Sequence, residues 1–288
     1  FAIFGIDQMI VGIVIAVLTV IIVAGGLSRI GKFMDLMVPI MAVIYLVGAF
    51  VVIFANIGNL VPSLISVFVY AFTPHAAVGG IAGSTVALAL RWGAARGVYS
   101  NEAGFGTAPA AHSSADVDHP IRQAAWGVFE VVVDTLIVCS ITALAVLTSG
   151  VWTSEVYESG AMAQAAFNSV FGAFGDYFVA ICVFLFVFST LVACVFYGQR
   201  QAEFLFGVKF SLWWRWVYVI FMVIATTGID LTMMYMITDG FLAAIMIPNM
   251  IGCVLLAGQV AELQKEYYNT PGKYYLADVE AKKAKKAA

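Results

Sequence analysis

GAARGVYSNEAGFGTAPAAHSSA, residues 93–115, lies inside the third long apolar run of this 288-residue chain and does not read as an ordinary spanning helix. It crowds Gly97, Ser100, Asn101, Glu102, Gly104, Gly106 and Pro109 into one short stretch. A continuous lipid-facing helix would not use that set, because irregular backbone at membrane depth is tolerated only where it is buried in protein or lines a cavity. Glycine permits an unwound stretch and a close approach of backbone to a ligand. Freed amides and carbonyls, with the dipole ends of two half-helices, can then hold a carboxylate or a cation. The same residues also suit a Gly-rich kink in which Ser and Asn join neighbouring helices.

The sequence on either side belongs to a polytopic membrane protein. It is 62% hydrophobic and only 11% charged, whereas a soluble domain carries about a quarter charged residues. Seven segments hold the ~20 mostly apolar residues that a spanning helix needs. They run roughly over 9–27, 36–58, 77–115 (interrupted), 121–148, 174–197, 212–228 and 231–258. These runs are continuous and too long for barrel strands, so the expectation is an all-α integral membrane bundle of seven transmembrane helices. Two shorter pieces, 59–74 and 161–173, are amphipathic and too short or too polar to span. They suit outer lids or ordinary loop helices. The chain opens Phe-Ala-Ile-Phe, without an initiator Met, which reads as the rear part of a longer protein.

Charge placement sets the orientation. Arg29, Lys32, Arg122, Arg200, Lys209, Arg215 and the tail lysines from Lys265 to Lys286 all fall on one face if the helices alternate. The loops around 59–75, 149–173 and 229–231 contain no Lys or Arg, and only Arg91 and Arg96, within the interrupted third segment, break the pattern. That bias puts the tail in the cytoplasm. Without a basic patch outside the tail, a nucleic-acid partner is excluded; the partner to expect is the lipid bilayer. Cys139, Cys182, Cys194 and Cys253 sit in apolar runs, without metal or disulfide spacing. His75, His112 and His119 show no metal spacing either, and no nucleophile motif appears, which argues against an enzyme. A retinal protein needs an intramembrane Lys, and every Lys lies in a loop or the tail. An ion channel is harder to separate on residues alone.

Several polar residues within the spans could carry function. Glu102 beside the break is either a ligand group or a partner for Arg96. Glu130 and Asp134 are one turn apart on the fourth span, and Asp239 lies in the last. Each suits an ion relay or a bond to a neighbouring helix. Ser189 and Thr190 offer adjacent hydroxyl oxygens of the kind a hard cation takes, although such hydroxyls often bond their own helix. Pro248-Asn249 predicts a kink where the Asn side chain meets freed carbonyls.

RGVYSNEAGFGTAP, Arg96 to Pro109, resembles the signature of the alanine/glycine:cation symporters. GLSRIGKFMDLMVPIMAVIY (from Gly26), FSTLVACVFYGQRQAEFLFG (from Phe188) and IPNMIG (from Ile247) are similar to further family segments, in the same order. The resemblance runs from about Met9 to Gly258. It implies a partial leucine-transporter-like fold of five plus five inverted-repeat helices. Residues 1–58 would end the first repeat, 59–75 form an outer amphipathic segment, and 76–260 make the second repeat, broken near 97–106. Residues 261–288 would be the cytoplasmic tail, and the first repeat's own broken helix would precede Phe1.

The resemblance implies a sodium-coupled symporter of a small neutral amino acid in a prokaryotic plasma or inner membrane, with no cofactor beyond the transported sodium ion. A proton-coupled carrier, or a fragment inactive for want of half its site, are the alternatives. By motif position, Val98, Ser100 and Asn101 would face the amino acid, Asn101 near its carboxylate, with Gly97, Gly104 and Gly106 supplying the break's backbone. Thr190 would line the substrate and sodium region together with Ser189, and Cys194 would stand at the pocket. Two positions depart from the family pattern: Cys194 replaces the usual Trp and Gln199 the usual Glu. A thiol for an indole enlarges the pocket, so side chains bulkier than alanine should be accepted. Strong preference for alanine over larger amino acids in a transport competition assay would sink this expectation.

Overall fold

The computed structural model describes residues 5–72, 82–113, 115–154, 159–227, 231–270, 274 and 283–286, and among these every regular element is helical. His75, within 73–81, and the tail lysines Lys273 and Lys282 lie outside the described residues. Among the described residues, four stretches are long and apolar enough to cross a membrane: Arg29–Ala55, Pro120–Ser149, Ala173–Phe206 and Met233–Asn269. Two other expected spans form α1 (Gln8–Val23) and α10 (Val208–Ile224), which are apolar but have 16 and 17 residues. Both fall short of the ~20 residues that a perpendicular crossing needs. The third expected span is interrupted. It runs as α4 (Ala82–Ser100), irregular backbone, and α5 (Thr107–His112).

The chain divides into two compact units: Phe1–Ala95 with Leu136–Asp230, and Arg96–Thr135 with Leu231–Ala288. The first holds α1, α2 (Gly26–Ala55), α3 (Leu60–Phe72), α7 (Ser140–Ser149), α8 (Ser159–Phe171), α9 (Ala173–Phe206) and α10. Its larger core joins Ala49, Val52 and Ile53 of α2, Ile141 and Ala145 of α7, Phe167 of α8 and Val179 of α9. Phe167 is 1% exposed and stacks on Phe178 at 5.4 Å between ring centres. Polar pairs fix the register around it. The Tyr45 hydroxyl lies 2.8 Å from Thr142 Oγ1, and Asn59 Nδ2 donates to the Thr148 carbonyl at 2.9 Å. A second cluster packs Ile15 and Val23 of α1 and Ile30 of α2 against Phe188, Val192 and Val195 of α9. A Cβ on Gly198 of α9 would collide with the Tyr218 hydroxyl of α10. A residue without a side chain therefore lets these two helices close.

Leu36, Val43, Val47 and Phe54 of α2 stay exposed at spacings that put them on one stripe. Hydrocarbon suits that stripe as well as protein would.

The segment expected as an outer amphipathic piece at 161–173 forms α8, and it packs rather than covers. Ala165, Ala166 and Phe167 are buried. Asp176 at the start of α9 accepts from Gln164 Nε2 at 2.6 Å and from Asn168 Nδ2, which pins the α8–α9 corner. Its polar residues bond the next helix while its apolar face completes the core.

The second unit contains the end of α4, α5, α6 (Pro120–Val131), the start of a π-helical segment (Val132–Cys139) and α11 (Leu231–Asn269). Pro120 opens α6, where its missing N–H costs nothing. His119 Nδ1 caps the helix by accepting from the Ile121 amide at 3.2 Å. The His119 ring packs at a tilt against Tyr267 and Tyr274, with ring centres 5.1 and 4.6 Å away. Arg122 adds a bond to the Tyr274 carbonyl at 2.5 Å, tying the chain beyond α11 to the start of α6.

Phe167→Ala removes the ring at the centre of the larger core. We expect it to cost about 3–5 kcal/mol, the usual range for a fully buried aromatic. Fluorescence-detected size-exclusion thermal denaturation should show a clearly lowered apparent melting temperature; an unchanged one would mean that the cluster does not support the unit.

Candidate functional site

The end of α4 departs from a plain glycine kink. Ala103 N–H bonds the Val98 carbonyl at 3.1 Å and Glu102 N–H the Tyr99 carbonyl at 3.3 Å. Those are the paired six-to-one and five-to-two bonds of a Schellman helix end, whose left-handed residue is normally glycine. Here it is Glu102, at φ 48°. A non-glycine residue adopts that conformation at some cost. Gly104 and Gly106 follow at φ 85° and 81° and turn the chain into α5. Glycine takes such values freely.

The break is held from two directions within its unit. From the π-helical segment, Asp134 Oδ2 accepts the Ser100 hydroxyl at 2.7 Å and Thr135 Oγ1 donates to Asn101 Oδ1 at 2.5 Å. Asn101 Nδ2 donates back to the Gly97 carbonyl at 2.9 Å, which fixes which way its amide faces. From α11, Asn249 Nδ2 donates to the Gly104 carbonyl at 2.9 Å, while Met246 and Met250 lie against Gly104. The carbonyl that Asn249 meets thus belongs to the broken helix rather than to a kink in its own. Each irregular backbone group satisfied this way is one fewer exposed to hydrocarbon.

Further along, Glu130 Oε2 lies 3.4 Å from His112 Nε2, within ion-pair reach but not aligned as a hydrogen bond. Gln123 Nε2 stands 2.8 Å from His112 Nδ1. His112 and Gln123 border a groove of ≈ 630 Å³ lined also by Ala108, Pro109 and Ser113. Both acids of the fourth span therefore engage the broken segment, Glu130 through His112 and Asp134 through Ser100. The expected ion pair of Glu102 with Arg96 is not formed among the described residues.

The structure brings together Gly97, Ser100, Asn101, Gly104 and Gly106, with Val98 half-buried beside them. Ser189, Thr190 and Cys194 belong to α9 in the other unit. Ser189 is buried, and its hydroxyl donates to the Phe186 carbonyl at 2.9 Å and lies 3.6 Å from Met41 Sδ. Thr190 is exposed and Cys194 half-buried. Thr135 and the left-handed Glu102 escaped sequence reasoning. VVDTLIVC carries no residue that marks a π-helix, and Glu is not a residue one expects in a left-handed helix cap.

Gly106→Ala tests the need for glycine, since a Cβ there would adopt a positive φ and lie 2.9 Å from Asn249 Oδ1. The expected outcome is a loss of about 1–3 kcal/mol, seen as a lower melting temperature in detergent. Wild-type stability would show that the break relaxes at no cost.

Comparison with known proteins sets this geometry in a lineage. Residues 2–279 match the family model described as the sodium:alanine symporter family. The chain is 42% identical over 285 residues to the uncharacterized transporter YflA of Bacillus subtilis, covering 98% of this chain and 60% of that protein. It is 35% identical to the sodium/alanine symporter AgcS of Methanococcus maripaludis, over 92% of this chain and 58% of that one. Against the probable sodium/glutamine symporter GlnT of Bacillus subtilis the identity is 32%, over 92% and 54%. The chain spans 54–60% of the length of these curated relatives. A family of transporters and four membrane-length apolar helices make this a multi-pass membrane protein and not an enzyme. A sequence match over nearly its whole length, together with the broken helix at Gly97–Gly106, places the chain in the sodium:alanine symporter family.

Proposed function

We propose that the full-length protein is a secondary symporter in which sodium, flowing down its gradient, carries a small neutral amino acid into the cell. The observation that carries this is the helix break at 97–106, clasped by side chains of two other helices, in a chain of this family. A side-chain amide has two N–H groups and two acceptor lone pairs. At Asn101 one N–H serves the Gly97 carbonyl and one lone pair serves Thr135. The second N–H is the group we assign to the substrate carboxylate, with Val98 and Ser100 beside it. Of the two hydroxyls we assign Thr190 to sodium first, because it is exposed while Ser189 is buried.

The same reading gives the chain seven crossings, the rear part of a five-plus-five inverted repeat, and a cytoplasmic C-terminus on the lysine-rich side. Relatives named for alanine and for glutamine bracket the side-chain sizes to be tried. One observation favours a second coupling ion: Glu130 stands within ion-pair reach of His112 in the broken segment. Acid and histidine side chains at such depth are the groups from which proton relays are built, so the second coupling ion would be a proton.

Radiolabelled alanine and glutamine uptake into proteoliposomes holding the full-length protein tests this. Uptake should depend on an inward sodium gradient, and Asn101→Ala should lower it by roughly tenfold or more, the scale of a lost hydrogen bond to a charged group. Uptake driven by a proton gradient alone would favour the second reading. If no small neutral amino acid enters under either gradient, the substrate class is wrong.

A further inference from the structure

Asp134 is a carboxylate within a membrane-length helix, where an acid is costly unless it has a task. It accepts the hydroxyl of Ser100, the last residue of α4, while its neighbour Thr135 bonds Asn101, the next residue along. Two consecutive residues of one helix thus grip two consecutive residues of another. In a regular α-helix neighbouring side chains diverge by about 100°, which makes such a double grip awkward. The segment Val132–Cys139 is π-helical. Its wider turn rotates less per residue and lets both side chains reach the same target. The bond from Ser100 goes to a charged acceptor, a stronger class than the neutral Thr135–Asn101 bond. Asp134 is thereby placed at the residue where the regular helix ends and the Schellman turn begins.

We propose that Asp134 is a positioning residue of the transport site: acting through Ser100, it holds the end of α4 in the shape that presents Asn101. This rests on the symport reading for its link to substrate, but the mechanical part stands apart from it. The carboxylate does not touch the amino acid. It sets where the break begins, and Thr135 sets how Asn101 is turned.

Two measurements on the full-length protein in nanodiscs and proteoliposomes test this. In pulsed hydrogen–deuterium exchange, Asp134→Ala and Ser100→Ala should each raise exchange over 97–106 by roughly tenfold, with Asp134→Asn, which keeps an acceptor oxygen, in between. In proteoliposomes, Asp134→Ala should raise KM for the amino acid with little change in maximal rate, and Ser100→Ala/Asp134→Ala should be no worse than the poorer single variant. Unchanged exchange over 97–106 in either alanine variant overturns the proposal. So does a KM effect of Asp134→Ala that adds in full to that of Ser100→Ala, since Asp134 would then act on substrate or cation directly. Should Asp134→Ala fail to fold, Ser100→Ala and Asp134→Asn carry the exchange arm alone, by the same criteria. If the wild-type protein takes up no amino acid, the symport reading fails, while the exchange result still decides the role of Asp134.

Discussion

Backbone that leaves the helix inside a membrane must find its hydrogen bonds within the protein, because hydrocarbon offers none. That constraint shapes everything around residues 97–106. Val98 and Tyr99 commit their carbonyls to the Schellman turn, Gly97 gives its carbonyl to Asn101, and Gly104 gives its own to Asn249. The bonds to Gly97 and Gly104 each recruit a polar side chain to a place where an apolar one would otherwise serve. Asn101, Asp134, Thr135 and Asn249 form a set for this reason: their polarity follows from the break they surround.

The same demand explains the strain at Glu102. Most helices ending in this way place glycine at the left-handed position and avoid the strain. This chain puts the glycines two and four residues later, at Gly104 and Gly106, where the backbone must turn into α5. Strained positions of this kind persist only where surrounding contacts over-determine them. The grips from the π-helical segment and from α11 supply those contacts, one on each side of Glu102 in sequence.

The other unit is built on different terms. Its cores are aliphatic and aromatic, and its polar bonds serve packing: Tyr45 with Thr142, Asn59 with Thr148, and Asp176 with Gln164 and Asn168. The hydroxyl of Ser189 turns inward to its own helix, as membrane-helix serines commonly do. Thr190, one residue on, is exposed. A pair of hydroxyls that looks equivalent in the sequence is therefore divided by the helix period.

Sequence alone determined that the chain is helical and membrane-bound, because run length and the near absence of charge leave no other solvent for these surfaces. It also determined that the third span breaks, because glycines, Ser and Asn at that depth cannot continue a lipid-facing helix, and it identified the family through the residues of that break. It named Glu130 and Asp134 as acids on one span without saying what they meet. Only the tertiary structure decided that Ser100 and His112 receive them, that Thr135 and Asn249 hold Asn101 and Gly104, and that α8 is core rather than lid. The reason is physical: hydropathy and residue preference are local sums, legible along the chain. A hydrogen bond between residues 34 or 145 positions apart, or a π-helical turn in an unmarked apolar run, depends on where separate helices come to lie.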